Sequence, residues 1–185
     1  MMKWLLLVAV VAYVSADSSE DGVSPGAKGT SCKCGWANRV SGSRIIGGRF
    51  YNKNEYPFLA AFTVDSNTGY FFLCGGTIIT PNHVITAAHC TDDVIKSRQK
   101  PFVLLGDHDL SYPSPVVIRV AGIQQHTGYD HLRSDPTNDI SILTLASSIN
   151  FNKNIGPVCL PHPGLDVTGQ TVRVVGRFRW PSCLA

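Results

Sequence analysis

The densest chemical signal in the chain is the string Thr86-Ala87-Ala88-His89-Cys90. The β-branched run Val84 to Thr86 leads into two small residues, a histidine and a cysteine. The alanines let backbone pass close behind an imidazole, and the cysteine can pin the histidine loop to a neighbouring strand. Fifty residues further on, Asn138-Asp139-Ile140 opens the apolar run Ile140 to Leu145. A carboxylate entering an apolar strand is partly buried and needs a partner. An imidazole N–H serves well, because the carboxylate then fixes the tautomer and stabilises the imidazolium that forms when the histidine takes a proton. His89 and Asp139 are therefore a candidate hydrogen-bonded pair in which the histidine can take a proton. Zinc binding is the competing chemistry for a His-Cys pair. It needs three or four ligands at short spacing, and none accompany His89-Cys90, so no metal and no cofactor is expected. The other histidines (His83, His108, His126, His131, His162) read as surface or loop residues.

The elements that must position this pair are β-strands. Phe58 to Val64, Tyr70 to Leu73, Val84 to Thr86, Phe102 to Leu105, Val116 to Ile123 and Ile140 to Leu145 are short runs rich in β-branched and aromatic residues. Gly, Pro, Asn and Asp separate them. The close spacing predicts an all-β fold, an antiparallel barrel or sandwich. No helical stretch of ten or more residues is expected in the mature chain, and Asp92 to Lys96 forms at most a single turn.

Composition limits what else the chain can be. Hydrophobic residues make up 44% and charged residues 16% of 185, which excludes a disordered tail. The formal charge of +3 is supplied entirely by Lys3, Arg177 and Arg179, which lie outside the patterned region. No basic block exists, so no nucleic-acid partner is expected. Met1-Met2-Lys3, the apolar run Trp4 to Val14 and the small residues Val14-Ser15-Ala16 have the layout of a secretory signal peptide over 1–16. Eleven apolar residues fall short of the roughly twenty that span a bilayer, so no membrane anchor is expected. The mature chain is expected to be secreted and extracellular, where disulfides are the default for its six cysteines. Residues 17–31 are small, polar and unpatterned, a linker. There is no Asn-x-Ser/Thr sequon.

Arg44-Ile45-Ile46-Gly47-Gly48, Thr86 to Cys90, Asn138 to Ile140 and Pro157-Val158-Cys159-Leu160-Pro161 occur in one order. On these strings the chain resembles the chymotrypsin/trypsin-like serine protease family, as a secreted zymogen. The resemblance runs from about Cys34 to Gly176. The lead-in Cys32-Lys33-Cys34-Gly35-Trp36-Ala37-Asn38 resembles arthropod venom and salivary members. The resemblance implies a chymotrypsin-like fold with its first barrel present and its second almost entirely missing. It implies His89 and Asp139 as two members of a His/Asp/Ser triad, with the serine last in chain order. It makes Arg44–Ile45 the activation bond, cut by a trypsin-like protease, after which the Ile45 amine swings inward. It pairs Cys74 with Cys90, and it has Cys159 tether the cleaved lead through Cys34 or Cys32. Protein or peptide substrates follow for a full-length form. The expected organisation is a signal peptide (1–16), a pro-segment or light chain with Cys-x-Cys (17–44), the N-terminal part of a peptidase domain (45–176) and a tail outside the family pattern (177–185).

The nucleophile is where this chain departs from the family. The string Gly-Asp-Ser-Gly-Gly, which carries the family's serine, is not among these residues. The family's Val-x-Gly-Trp-Gly begins as Val174-Val175-Gly176 and then breaks off into Arg177-Phe178-Arg179-Trp180. Ser182 has no glycines around it to build an oxyanion hole and is a poor nucleophile candidate. An interrupted reading frame after Gly176 is one expectation. The chain as written is then an inactive piece of an endopeptidase precursor. A non-catalytic secreted homologue acting as binder or decoy is the alternative.

Overall fold

The structure, a computed structural model, describes residues 33–38, 44–45, 48–49, 54–67, 69–106, 116–130, 132, 137–170 and 175–176. The expected signal peptide, Cys32, His108, His131, Cys183 and the tail 177–185 lie outside the described residues. Near the lead, β1 (Arg44–Ile45) and β2 (Gly48–Arg49) pair as a small antiparallel ladder.

Six longer strands carry the fold. They are β3 (Leu59–Ser66), β4 (Gly69–Thr80), β5 (His83–Thr86), β6 (Pro101–Leu105), β7 (Val116–Gln125) and β8 (Ser141–Leu145). They close into an antiparallel barrel in the order β3-β4-β5-β8-β7-β6. Alternation dictates the register. In β7, Ile118 and Val120 point inward while Val117 and Arg119 face solvent. A slip of one residue would exchange these sets. Phe62, Ile78, Val84, Val103, Leu105 and Leu143 are fully buried in one cluster. Register shifts at Phe62/Thr63, Ile78/Thr80 and Val120/Gly122 bend the strands, which lets so small a sheet close on itself. Gly76 is required by packing: a Cβ there would meet Val84 Cγ1 at 2.8 Å.

The all-β barrel expectation holds, with two differences. Strand β4 runs to Thr80, seven residues past the expected end at Leu73. Between β5 and β6, a nine-residue helix α1 (His89–Ser97) replaces the single expected turn. Asp92 in its first turn and Lys96 in its last complement the helix dipole. Arg98, at φ 53°, ends it in the left-handed conformation. Val94 packs into the barrel core and anchors the helix.

After β8 the chain runs across the barrel, burying Ile149 and Ile155, and the Val158 N–H donates to the Ile78 carbonyl at 2.9 Å. Residues 33–38 dock on this return segment. The Gly35 N–H donates to Pro157 O at 2.8 Å, and the Trp36 Nε1–H to Lys153 O at 3.1 Å. A disulfide joins Cys34 to Cys159. Gly35 sits at φ 67° with its missing Cβ pointing 2.9 Å from Cys159 Sγ, so only glycine fits there.

Candidate active site

Strand register brings the two candidate residues together. Thr86 of β5 is paired with Ser141 of β8 in an antiparallel ladder. Two residues beyond Thr86 is Ala88, and two residues before Ser141 is Asp139. The continuation of the ladder therefore sets Asp139 opposite the Ala88–His89 peptide. Asp139 is presented by a tight turn: Asn138 takes φ 58°, and the Ile140 N–H donates to the Asn138 carbonyl at 2.7 Å. Asn tolerates that left-handed backbone better than most residues. The Asn138 side chain donates to Gly128 O at 3.1 Å and holds the turn against the 126–130 loop.

The carboxylate of Asp139 receives two bonds from His89. The His89 backbone N–H donates to Oδ1 at 2.9 Å, and the ring Nδ1 lies 2.7 Å from Oδ2. Partial burial of Asp139 pushes its pKa up, but the hydrogen bonds from His89 and Ala88 outweigh it and hold the carboxyl below the usual value. An ionised carboxylate only accepts hydrogen bonds, so Nδ1 must carry the ring proton. The lone pair of the neutral ring is then on Nε2. The His89 side chain is 60% exposed, so the imidazole stands at the surface. Its near neighbour, Cys90 Sγ at 3.3 Å, is bonded to Cys74 and has no proton to give. The arrangement can take a proton at Nε2 and hold the resulting imidazolium over a fixed negative charge.

This disulfide ties β4 to the first turn of α1 beside the imidazole. Cys74, Cys90 and His89 have ligand atoms within 4.8 Å of one another, so a third sulfur-or-nitrogen donor does accompany the His-Cys pair. Both sulfurs are consumed by the S–S bond, and a metal needs thiolates. The other candidates are placed as follows. Arg44 and Ile45 lie in β1, paired with Arg49 and Gly48. Cys34 and Cys159 are bonded to each other on the return segment. His83, expected on the surface, is half-buried in β5 with Nδ1 2.8 Å from Thr80 Oγ1.

A model of the family described as Trypsin matches residues 45–179. The chain belongs to the trypsin family. Among trypsin-family proteins it is similar to a venom serine protease of Polistes dominula, 34% identical over 152 residues that cover 78% of this chain and 51% of the relative. It is similar to venom serine protease 34 of Apis mellifera, 34% identical over 155 residues, with 80% of this chain and 36% of the relative covered. A CLIP domain-containing serine protease of Bombyx mori is 36% identical over 140 residues, covering 69% of this chain and 37% of its own length. The chain thus spans about half or less of the length of these trypsin-family relatives. Among the described residues, no helix is long and apolar enough to cross a membrane.

Sequence reasoning missed the residues around the pair. Gln125, Asp92 and Tyr129 form a polar cluster beside the first turn of α1. They belong to no family string quoted above. The only signal for Gln125 was that a long polar residue ends the apolar run of β7 close to the register of Ser141.

Proposed function

We propose that this chain supplies the general base and its orienting carboxylate for a secreted trypsin-like serine endopeptidase precursor. One observation carries the reading: Asp139 engages Nδ1 of His89 at 2.7 Å while the His89 side chain stays 60% exposed. In such an enzyme Nε2 takes the proton of a serine hydroxyl as the oxygen attacks a peptide carbonyl, then returns it to the leaving amine. Asp139 stays ionised throughout. Arg44–Ile45 is the bond cut on activation by a trypsin-like protease. After the cut, the Cys34–Cys159 bond keeps the lead attached to the barrel. Secretion fits the N-terminal segment, the two disulfides and the venom relatives.

These 185 residues contain no Gly-Asp-Ser-Gly-Gly string. Loss of the nucleophile of such a triad costs on the order of 10⁶ in turnover. The purified chain, cleaved after Arg44, is therefore expected to leave arginyl and aromatic peptide substrates intact. Turnover that a serine-directed phosphonate blocks would overturn this. Transcript sequencing separates the two function classes. A longer form that continues into the serine string supports the endopeptidase precursor. A uniform short transcript supports a non-catalytic homologue that acts by binding.

A further inference from the structure

His89 and Asp139 lie just beyond the last pair of the β5–β8 ladder, Thr86 with Ser141. Asp139 precedes β8, whereas His89 opens α1, whose N-cap, Ala88, makes no side-chain capping bond. The ladder brings the start of α1 close to the approach to β8, and contacts beyond the ladder fix its orientation there. The Cys74–Cys90 bond fastens α1 to β4 instead.

We propose that Gln125, itself fixed by Asp92 and Tyr129, is a positioning residue for the His89–Asp139 pair. Its backbone is locked into the correct strand pair, since Gln125 of β7 is the register partner of Ser141, two residues from Asp139. Its side-chain Nε2 reaches across to α1 and meets three oxygens: Ala88 O at 3.1 Å, Thr91 Oγ1 at 2.9 Å and Asp92 Oδ1 at 2.8 Å. Thr91 Oγ1 passes its own proton to the same Ala88 carbonyl at 2.7 Å. The second oxygen of Asp92 accepts the Tyr129 hydroxyl at 3.0 Å. Asp92 is thus gripped on both oxygens and cannot swing away from the amide.

The Ala88 carbonyl is the hinge of this arrangement. It belongs to the Ala88–His89 peptide, and the N–H of that same peptide donates to Asp139 Oδ1 at 2.9 Å. One rigid, planar peptide unit is held at its oxygen by Gln125 and at its nitrogen by Asp139. Orienting the peptide orients the His89 Cα–Cβ bond, and so the ring. Gln125 acts on the pair through backbone and touches no reacting group. Only a side chain with N–H donors can do this, because all three partners present acceptors to it.

This inference rests on His89 being the base, but its test reads geometry. In the 185-residue chain labelled with ¹⁵N, hydrogen exchange at the His89 amide and the resonance of the His89 Nδ1 proton are followed by NMR. Gln125→Ala is expected to speed His89 amide exchange about tenfold and broaden the Nδ1 proton, while the Phe62 and Ile78 amides of the core keep their protection. Gln125→Lys restores donors and is expected to recover the wild-type pattern. Gln125→Glu sets a carboxylate against Asp92 and is expected to be worse than alanine. Tyr129→Phe removes one bond and is expected to act in the same direction about threefold. Equal behaviour of the Ala, Lys and Glu variants would overturn the proposal. So would acceleration spread evenly over the core amides, the mark of a merely structural role. A rigid pair that shows no catalysis in a form carrying a serine would instead contradict the proposed function and leave Gln125 its role.

Discussion

The two disulfides among the described residues hold different kinds of structure. Cys74–Cys90 links residues separated by 16 and sits inside the machinery, between a barrel strand and the turn that presents His89. Cys34–Cys159 links residues separated by 125 and sits outside the barrel, where a lead of irregular backbone lies on a return segment of irregular backbone. The first region is shaped by strand register and a polar cluster. The second has a few hydrogen bonds, one indole and a covalent bond. A small loop closed beside the imidazole serves geometry, whereas a large loop closed far from it serves attachment.

The largest effect that probes this contrast is in the first region. In a form that carries the serine, Asp139→Asn is expected to lower kcat about 10⁴-fold by selecting the wrong tautomer, read by steady-state kinetics. Removing Cys34–Cys159 comes next. By chain entropy it costs about 5 kcal/mol of unfolding free energy and leaves the His89 amide protected, as measured by urea titration and hydrogen exchange. Removing Cys74–Cys90 costs less, about 3 kcal/mol, yet it is the change that loosens His89. If both deletions loosened His89 equally, the division of labour would not stand.

A pH experiment sharpens the same contrast. The folded pKa of Asp139 is depressed by its bonds to His89 and Ala88 against the opposing effect of burial. Its stabilising contribution is fully present above the unfolded carboxyl pKa of about 4 and is lost as pH falls through the folded value. The stability gap between wild type and Asp139→Asn should therefore close on acidification, and a gap that stays constant would contradict an ionised Asp139 held by hydrogen bonds from His89. Tyr129 is pushed up to about 12, by burial first and then by its bond to Asp92 and the neighbouring carboxylates, so it remains a donor across this range. The smallest effect lies in the lead. Lys33 stands 5.7 Å from the Trp36 ring, and Lys33→Ala is expected to cost about 0.5–1 kcal/mol by denaturant titration, with His89 untouched.

Much of the barrel was legible because its strands are β-branched and aromatic runs separated by Gly, Pro, Asn and Asp. Where the reading fell short, the cause is local chemistry. Gly75-Gly76 looks like a turn and so cut β4 short, yet Gly76 is there to admit Val84. Thr91, Val94 and Ile95 are indifferent helix formers, and α1 has no side-chain cap. Tertiary contacts hold this helix, through Val94 in the core and Gln125 on its first turn, and a local pattern cannot show them. The His89–Asp139 pair was legible because the strings around Ile45, His89, Asp139 and Cys159 occur together in one order. Gln125, Asp92 and Tyr129 were not, since their meeting depends on register across three elements.

We propose that Asp139 fixes the proton of neutral His89 on Nδ1 and leaves Nε2 to act as the base. ¹⁵N NMR of the imidazole near neutral pH tests it most directly. A proton bonded to Nδ1 is expected, strongly shifted downfield and lost in Asp139→Asn. A neutral ring protonated on Nε2, or an Nδ1 proton that Asp139→Asn leaves unchanged, would contradict it.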